Sequence, residues 1–284
     1  MFSEDLHRSR PGLDPRGDSE APTGAETVLA RSGSQFPGLS PGTPMSTPTI
    51  DSFDLSPDRV LARKYRVLEQ LGAGYEGEVY RVAEVRTGIE RAAKLFFPQR
   101  NPGLKTSRDY AKKLHKLRHC DILIQYQTEE QLTLRGHTIT ALISEYVDGP
   151  VLDDFLKTRP GRRLAPFEAL HLLYALVVGM EPIHQAGEYH GDLHAGNIIV
   201  AGHGLEFELK LIDFFHWDAP KVENRRADVC DAIRLFYDVL GGRKTYARQS
   251  AAVKEICCGL KRTLILRKFP TMARLRKHLE TMQW

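Results

Sequence analysis

The spacing of apolar residues changes once along this chain, near Gly149, and the change limits the folds open to it. Between Tyr65 and Tyr146 the apolar residues mostly alternate with polar ones, as they do in half-buried strands. After Gly149 they recur at helical spacing, most regularly from 166 to 185. The pattern predicts a β-rich part followed by an α-rich part, which is an α+β fold.

The same patterns place the individual segments. Strands are predicted at 65–71, 78–83, 91–97, 131–134, 138–146, 198–200 and 209–212. Helices are predicted at 107–117, 152–156, 166–185, 227–240, 251–264 and 271–282. No internal repeat is visible.

The first 57 residues differ in composition from the rest of the chain. They contain eight of the sixteen prolines and six glycines, and they lack tyrosine and tryptophan. Such a segment buries too little apolar surface to offset the entropy lost on ordering. We therefore expect a disordered Pro/Ser/Gly-rich tail at 1–57 and one folded domain at 58–284.

Composition also argues against several classes of protein. The four cysteines lack the Cys-x-x-Cys pairs of a zinc site, which favours reduced thiols. Glu4 and Asp5 stand where a signal peptide would be basic, and no apolar stretch is long enough to cross a bilayer. The expectation is a cytoplasmic protein with no membrane span. The basic excess after residue 57 is nonspecific, so no nucleic-acid partner is expected.

A glycine cluster with the pattern G-x-G-x-x-G-x-V separates the first two predicted strands. Glycine lets the backbone approach a phosphate closely and leaves its amides free to bind phosphate oxygens. A Rossmann site would need a helix after the glycines, but 79–83 has the pattern of a strand. Lys94, seventeen residues beyond Gly77 on the next predicted strand, is either a partner for the same phosphate or a solvent-facing lysine.

The strongest concentration of reactive side chains is the segment 190–200, with the sequence HGDLHAGNIIV, and the Asp213 that follows it. Two carboxylates and an amide at strand edges can divide the work of phosphoryl transfer. One acid accepts a proton, and the other acid holds Mg²⁺ together with the amide of Asn197. A zinc site is an alternative, through His184, His190 and His194.

These motifs occur in the order typical of the eukaryotic-like (Hanks-type) protein kinases, and the chain resembles that superfamily from about Tyr65 to its end. The resemblance implies two lobes, a β-rich N-lobe at about 62–147 and an α-helical C-lobe at about 148–284, with an ATP site in the cleft. It implies transfer of phosphate from Mg-ATP to Ser/Thr hydroxyls of a protein substrate. ATP and Mg²⁺ are the implied cofactors, whereas the substrate and the oligomeric state stay unidentified.

By position, the resemblance assigns roles to single residues. Asp192 matches the catalytic aspartate, His194 stands where a lysine near the γ-phosphate is usual, and Lys94 matches the lysine that holds the α- and β-phosphates. Asn197 and Asp213 match the metal ligands. The implied nucleotide-binding residues are Leu71, Gly72, Ala73, Gly74, Gly77, Val79, Ala92, Lys94, Glu145 and Val147. Asp228 matches an aspartate that braces the catalytic loop.

Three features depart from the family pattern. The helix glutamate that should pair with Lys94 is missing, and its position holds Tyr110, with Asp109 beside it. Either Asp109 substitutes by a shifted register, or the nucleotide site is ordered differently. Gly191 replaces an arginine that normally binds a phosphorylated activation segment, so we expect activity without that phosphorylation. Phe215 replaces the glycine of the Asp-Phe-Gly motif.

Two other functions stay open. The HGDLHAGN segment also resembles aminoglycoside and choline phosphotransferases, which keeps a small-molecule acceptor in view. The missing helix glutamate and the altered Asp-Phe-Phe motif favour an ATP-binding pseudokinase scaffold. Retention of four reactive residues argues against that scaffold, namely Lys94, Asp192, Asn197 and Asp213.

Overall fold

Strands come first and helices later in the computed structural model, which describes residues 49–204, 206–214 and 221–283. The strands are β1 (Val60–Leu61), β2 (Tyr65–Ala73), β3 (Gly77–Glu84), β4 (Glu90–Phe96), β5 (Tyr126–Leu134), β6 (His137–Glu145), β7 (Ile198–His203) and β8 (Phe207–Leu211). The helices are α1 (Lys105–Lys116), α2 (Leu152–Lys157), α3 (Pro166–Gln185), α4 (Lys221–Val239), α5 (Arg243–Tyr246), α6 (Ala251–Cys257), α7 (Arg262–Lys268) and α8 (Met272–Thr281).

The first six strands form one antiparallel sheet in the order β1-β2-β3-β4-β6-β5. Helix α1 interrupts this series between β4 and β5, and the other helices follow β6. Strands β7 and β8 pair separately as a two-stranded antiparallel sheet among the helices. The predicted α+β class is confirmed, with a β-rich N-lobe and an α-helical C-lobe.

Every predicted segment overlaps an observed element, and the helix at 166–185 has the predicted bounds. The single helix predicted at 251–264 is wrong, because the chain breaks into α6 and α7. At the break, Cys258, Gly259 and Leu260 have φ angles of 48°, 58° and 58°. A right-handed helix cannot continue through left-handed backbone. Strand β1 and the short helix α5 were not predicted.

The folded domain begins before residue 58, which corrects the boundary expected from composition. Residues 49–57, here called the strap, run along the outer face of the N-lobe sheet. Ile50, Phe53 and Leu55 of the strap are buried in the apolar cluster on that face. Three apolar side chains at irregular spacing therefore anchor a segment whose composition is that of a tail. Residues 1–48 lie outside the described residues.

Hydrogen bonds attach the strap to β3. The backbone N–H of Phe53 donates to the carboxylate of Glu78 at 3.2 Å, and that of Leu55 donates to the Tyr80 hydroxyl at 3.4 Å. The Tyr80 hydroxyl also donates to Glu78, which is buried. Burial and the bond to Glu78 raise the pKa of Tyr80. The strap thus supplies one hydrogen-bond donor to Glu78, a buried acid directly after the glycine cluster, and one to the tyrosine that binds this acid.

Leu55→Ala is expected to lower the free energy of unfolding by about 2 kcal/mol. Removal of a buried leucine side chain costs about 2 to 5 kcal/mol, and the low end applies where the surroundings can relax, as at this edge of the domain. Urea denaturation measures the change. Val60→Ala is the control, because Val60 is exposed, and an equal loss in both variants would contradict a packed strap.

The alternation of side chains along β4 sends two sets of residues to opposite faces of the sheet. Ala93 and Leu95 are fully buried on the outer face, in the cluster that includes the strap. Ala92 and Lys94 lie on the other face, towards the C-lobe, and Val79 of β3 is the register partner of Lys94. Strand geometry therefore brings these three predicted site residues together.

The C-lobe packs around α3 and α4. Pro166 stands in the first turn of α3, where its missing N–H costs no helical hydrogen bond. Side-chain caps begin two later helices, Ser250 for α6 and Thr271 for α8. The length and apolarity that a membrane crossing requires are not combined in any helix of the described residues.

Candidate active site

A cleft of about 670 Å³ lies between the two lobes, under the glycine-rich turn that joins β2 to β3. All ten residues predicted to bind nucleotide line it, together with Asp192, Asn197 and Asp213. His194 is not among the lining residues, and its side chain is half exposed beside Asp192. The structure thus brings together all but one of the predicted site residues.

The three glycines of the G-x-G-x-x-G pattern have different surroundings, so glycine is required at only one of these positions. A Cβ on Gly77 would lie 1.9 Å from the carbonyl oxygen of Leu95, so no side chain fits there. A Cβ on Gly72 or Gly74 would meet no atom within 4 Å. Packing therefore demands Gly77 alone, while the other two leave open space above the cleft.

Lys94 is held by two carboxylates. Its Nζ lies 2.9 Å from Oδ1 of Asp213 and 2.9 Å from Oε2 of Glu76, a residue of the glycine-rich turn. Burial opposes the charged form of Lys94, but the negative charges of Asp213 and Glu76 outweigh it and raise the lysine pKa. Lys94 therefore presents a full positive charge to the cleft.

Helix α1 offers Lys94 an aromatic ring in place of the missing glutamate. The Lys94 ammonium lies 4.7 Å from the ring centroid of Tyr110, which is within the range of a cation–π contact. Burial raises the pKa of the Tyr110 hydroxyl. Among the described residues the acids paired with Lys94 are Glu76 and Asp213. The site is therefore ordered differently, and the shifted register of Asp109 is wrong.

Asp213 and Asn197 both line the cleft. Asp213 has a φ of 55°, a strained conformation for a residue with a Cβ. The amide nitrogen of Asn197 donates to the backbone oxygen of Asp192 at 2.8 Å, which leaves its amide oxygen for a ligand. A carboxylate and an amide oxygen are the donors that Mg²⁺ prefers, so this pair fits the predicted metal. Phe215 lies outside the described residues.

Asp192 is held in its charged form. Nε2 of His194 lies 3.6 Å from Oδ2 of Asp192, and the Asn197 amide donates to the same oxygen at 3.3 Å. The interaction with His194 lowers the pKa of Asp192 and raises that of the histidine. Nδ1 of His194 accepts from the backbone N–H of Gly196 at 3.1 Å. Asp192 is thus a carboxylate able to accept a proton.

Asp228 of α4 binds the backbone of the loop that carries Asp192, here called the catalytic loop, as the resemblance implied. Its fully buried carboxylate accepts from the backbone N–H groups of His190 and Gly191 at 2.8 and 2.9 Å. Nε2 of His184 lies 2.9 Å from the same carboxylate. The loop that carries Asp192 is therefore fixed to a helix of the C-lobe core.

His190 joins the catalytic loop to Asp213 and its neighbours. Its Nε2 donates to the carbonyl oxygen of Ile212 at 3.0 Å, and its Nδ1 accepts from the N–H of Asp192. The centroid of its ring lies 4.7 Å from that of Phe214. Each ring nitrogen thus has a partner that suits the neutral imidazole. Burial lowers the pKa of His190, although Asp228 acts in the opposite direction.

Acidification is expected to destabilise the fold through His190. Its ordinary pKa is 6.5, and folding lowers it. Below about pH 6.5 the unfolded chain therefore binds the proton more readily than the folded one. The contribution of neutral His190 to the free energy of unfolding is complete above that pH and is lost as the pH falls towards the folded-state pKa. Urea denaturation at about pH 7.5 and about pH 5.5 measures how much free energy of unfolding is lost on acidification. This loss should be smaller for His190→Gln than for the wild type. His115→Gln, at an exposed position of α1, should retain the wild-type loss; equal losses in all three proteins would exclude this role.

The three histidines of the zinc alternative bind different groups. His184 contacts Asp228, His190 binds the Ile212 carbonyl and His194 contacts Asp192. Within the described ranges, no group of three or more His, Cys, Asp or Glu residues is arranged to hold a metal ion. The zinc interpretation has no support in this geometry.

A comparison with protein families decides what kind of domain contains this cleft. The family model described as the protein kinase domain matches residues 65–230, more than half of the chain. The chain belongs to the protein kinase domain family. Its match includes the glycine-rich turn, Lys94, the catalytic loop and Asp213. It ends at Cys230, just beyond Asp228 in α4.

Individual relatives agree with this kinase family. A protein of Streptomyces coelicolor named probable serine/threonine-protein kinase is 30% identical over 159 residues, and serine/threonine-protein kinase pkn2 of Myxococcus xanthus is 29% identical over 163. These matches cover 55% and 56% of this chain but only 23% and 19% of the relatives, so the chain spans a fraction of their length.

Solved structures confirm the kinase fold. The kinase domain of PknI from Mycobacterium tuberculosis, solved as a double mutant, has a TM-score of 0.59 with 19% sequence identity. The match covers 80% of this chain and 97% of the solved one. Another structure of the same domain has a TM-score of 0.57 with 17% identity, covering 80% and 98% of the two chains. At these identities the similarity concerns the fold.

Sequence reasoning missed Glu76 as a partner of Lys94 and His190 as a link between the catalytic loop and Phe214. An acid inside a glycine-rich turn, combined with a missing helix glutamate, was the available signal for Glu76. His190 was considered only as a metal ligand. Its neutral state depends on burial, which sequence spacing does not reveal.

Proposed function

We propose that this chain is an ATP-dependent protein kinase that phosphorylates serine or threonine hydroxyls of a protein substrate. The observation that carries the proposal is the convergence of one cation, two acids and an amide in one cleft under the glycine-rich turn, namely Lys94, Asp192, Asp213 and Asn197. Membership of the protein kinase family and the names of the relatives support the same reaction.

Each group has a part in the proposed reaction. The backbone of the turn at Gly72 and Gly74 covers the triphosphate, and the Lys94 ammonium binds its α- and β-phosphate oxygens. Asp192 orients the acceptor hydroxyl and takes its proton as the oxygen attacks the γ-phosphorus, while the bond to the leaving ADP oxygen breaks. His194, beside Asp192, contributes a positive charge when protonated.

Asn197 and Asp213 would hold Mg²⁺ through their oxygen atoms. When bound, the ion neutralises the charge on the phosphates of the nucleotide. In the nucleotide-binding part of the cleft, Val79 and Ala92 would cover the adenine, and the backbone of Glu145 and Val147 would hydrogen-bond to it. A cytoplasmic location is part of the proposal, because the reaction consumes ATP.

Transfer of label from γ-labelled ATP tests the proposal. With Mg²⁺ and generic protein acceptors, we expect labelled phosphoprotein that is lost when EDTA removes the metal. Acid hydrolysis should recover phosphoserine or phosphothreonine. Turnover on hydroxylated metabolites, with no label on protein, would favour the small-molecule phosphotransferase. ATP binding without any product would favour the pseudokinase.

Phosphatase treatment is expected to leave the rate of transfer unchanged. The N–H of Gly191, where related kinases carry an arginine, donates to Asp228. The buried acid Glu188 accepts from Lys116 of α1 and Lys221 of α4, both at 2.6 Å, and thereby joins the two helices without a phosphate. The comparison is phosphatase-treated against mock-treated enzyme, with phosphate content checked by mass spectrometry. Loss of activity on treatment would refute the expectation.

A further inference from the structure

The acid that pairs with Lys94 comes from the glycine-rich turn, and this arrangement carries an inference that rests on the proposed function. Helix α1 contains no glutamate, and the Tyr110 ring lies where an acid would otherwise face the ammonium. A charged side chain that is largely excluded from water needs a partner of opposite charge. Glu76 is either a lasting partner of Lys94 or a residue that occupies the phosphate site only until nucleotide binds.

The backbone around Glu76 favours a lasting partner. The carbonyl oxygen of Glu76 accepts from the N–H of Phe97 at 2.9 Å, and Gly77 lies directly against the Leu95 carbonyl. These contacts attach the end of the turn to the last residues of β4, the strand that carries Lys94, and to Phe97 directly after it. Glu76 is therefore held at a fixed distance from Lys94, unlike Gly72 and Gly74, whose surroundings are open.

The side chains show the same close association. Only 14% of the Lys94 side chain and 24% of the Glu76 side chain are exposed, and their charged atoms are 2.9 Å apart. An ammonium group has three donors. One goes to Glu76 and one to Asp213. Asp213 would also be a metal ligand, so Glu76 is the contacting carboxylate that serves Lys94 alone and can orient its ammonium group.

We propose that Glu76 is the positioning residue of Lys94, and that it replaces the missing helix glutamate from the glycine-rich turn between β2 and β3. The orientation of Lys94 is then set by the glycine-rich turn and β4, and not by the position of α1. The turn has two tasks in this arrangement, because it covers the phosphates and also aligns the lysine that binds them.

The proposal is tested by removing the acid at position 76 and then placing an acid on α1 instead. Glu76→Gln keeps the shape but removes the charge, and we expect about a tenfold loss of affinity for a non-hydrolysable ATP analogue with Mg²⁺, the size expected for one charge-assisted hydrogen bond. The KM for ATP should rise by a similar factor. Adding Tyr110→Glu to this variant places an acid on α1 and should restore most of the affinity. The matched double variant with Tyr110→Gln should not.

The controls separate this proposal from the proposed function. Calorimetric titration of the analogue requires no phosphoryl transfer, so it reports on Glu76 even if no protein is phosphorylated. Glu69→Gln, at an exposed acid of β2 that pairs with Arg81, should bind the analogue as the wild type does. Thermal denaturation verifies that each variant is folded. Unchanged or tighter binding by Glu76→Gln would overturn the proposal, since tighter binding means that Glu76 competes with the phosphates.

Discussion

Asp192→Asn is expected to lower the single-turnover rate constant of phosphoryl transfer by about 10²- to 10⁴-fold, while the affinity for ATP stays close to the wild-type value. Asparagine retains the shape of the side chain but cannot accept a proton, and a positioned general base contributes a factor of this size. His194 and Asn197 hold Asp192 in its charged form, so the wild-type group is ready to act as a base.

Single-turnover transfer from γ-labelled ATP measures the effect, with the ATP analogue titrated in parallel. Asp121→Asn makes the same chemical change at an exposed site and should leave both quantities unchanged. A variant at position 192 that retains the wild-type rate would show that another group receives the proton of the acceptor.

The largest expected effect on stability comes from Asp228→Ala. This change leaves the buried N–H groups of His190 and Gly191 without their acceptor, and it removes the partner of His184. Loss of one member of a buried, charged network costs about 3 to 5 kcal/mol. We expect urea denaturation to show a loss of this size in the free energy of unfolding.

Another acid of the same helix provides the control. Glu223 is exposed and pairs with Arg226 and Arg262 at the surface, so Glu223→Ala should cost no more than about 1 kcal/mol. A fold that tolerates Asp228→Ala as well as Glu223→Ala would mean that the catalytic loop does not depend on its support from α4. Activity should fall with stability, because the same loop carries Asp192.

Much of the fold and most of the cleft could be predicted because they depend on local periodicity and on the order of motifs. Alternation along β4 is enough to put Ala92 and Lys94 on one face. The spacing of Asp192 and Asn197 around a short turn likewise predicts that they lie together. Neither inference needs knowledge of which distant segments meet.

The features that were missed depend on contacts between segments. Glu76 meets Lys94 because Gly77 packs on the Leu95 carbonyl, a close approach that no spacing rule contains. The break at Cys258 depends on left-handed backbone, which the apolar pattern of 251–264 does not signal. Tail-like composition concealed the strap, since a few buried side chains suffice where a sheet face is available to receive them.

The strap also separates two borders that are often assumed to coincide. The kinase family match begins at residue 65, yet Phe53 and Leu55 of the strap complete the core on the outer face of the sheet. A fragment cut at the family border would retain every residue that lines the cleft. It would nevertheless lack the backbone donor that Phe53 gives to the buried Glu78. The region that matches the family is thus shorter than the packed domain, and Glu78, the residue that would lose its partner in such a fragment, lies directly after Gly77 of the glycine-rich pattern.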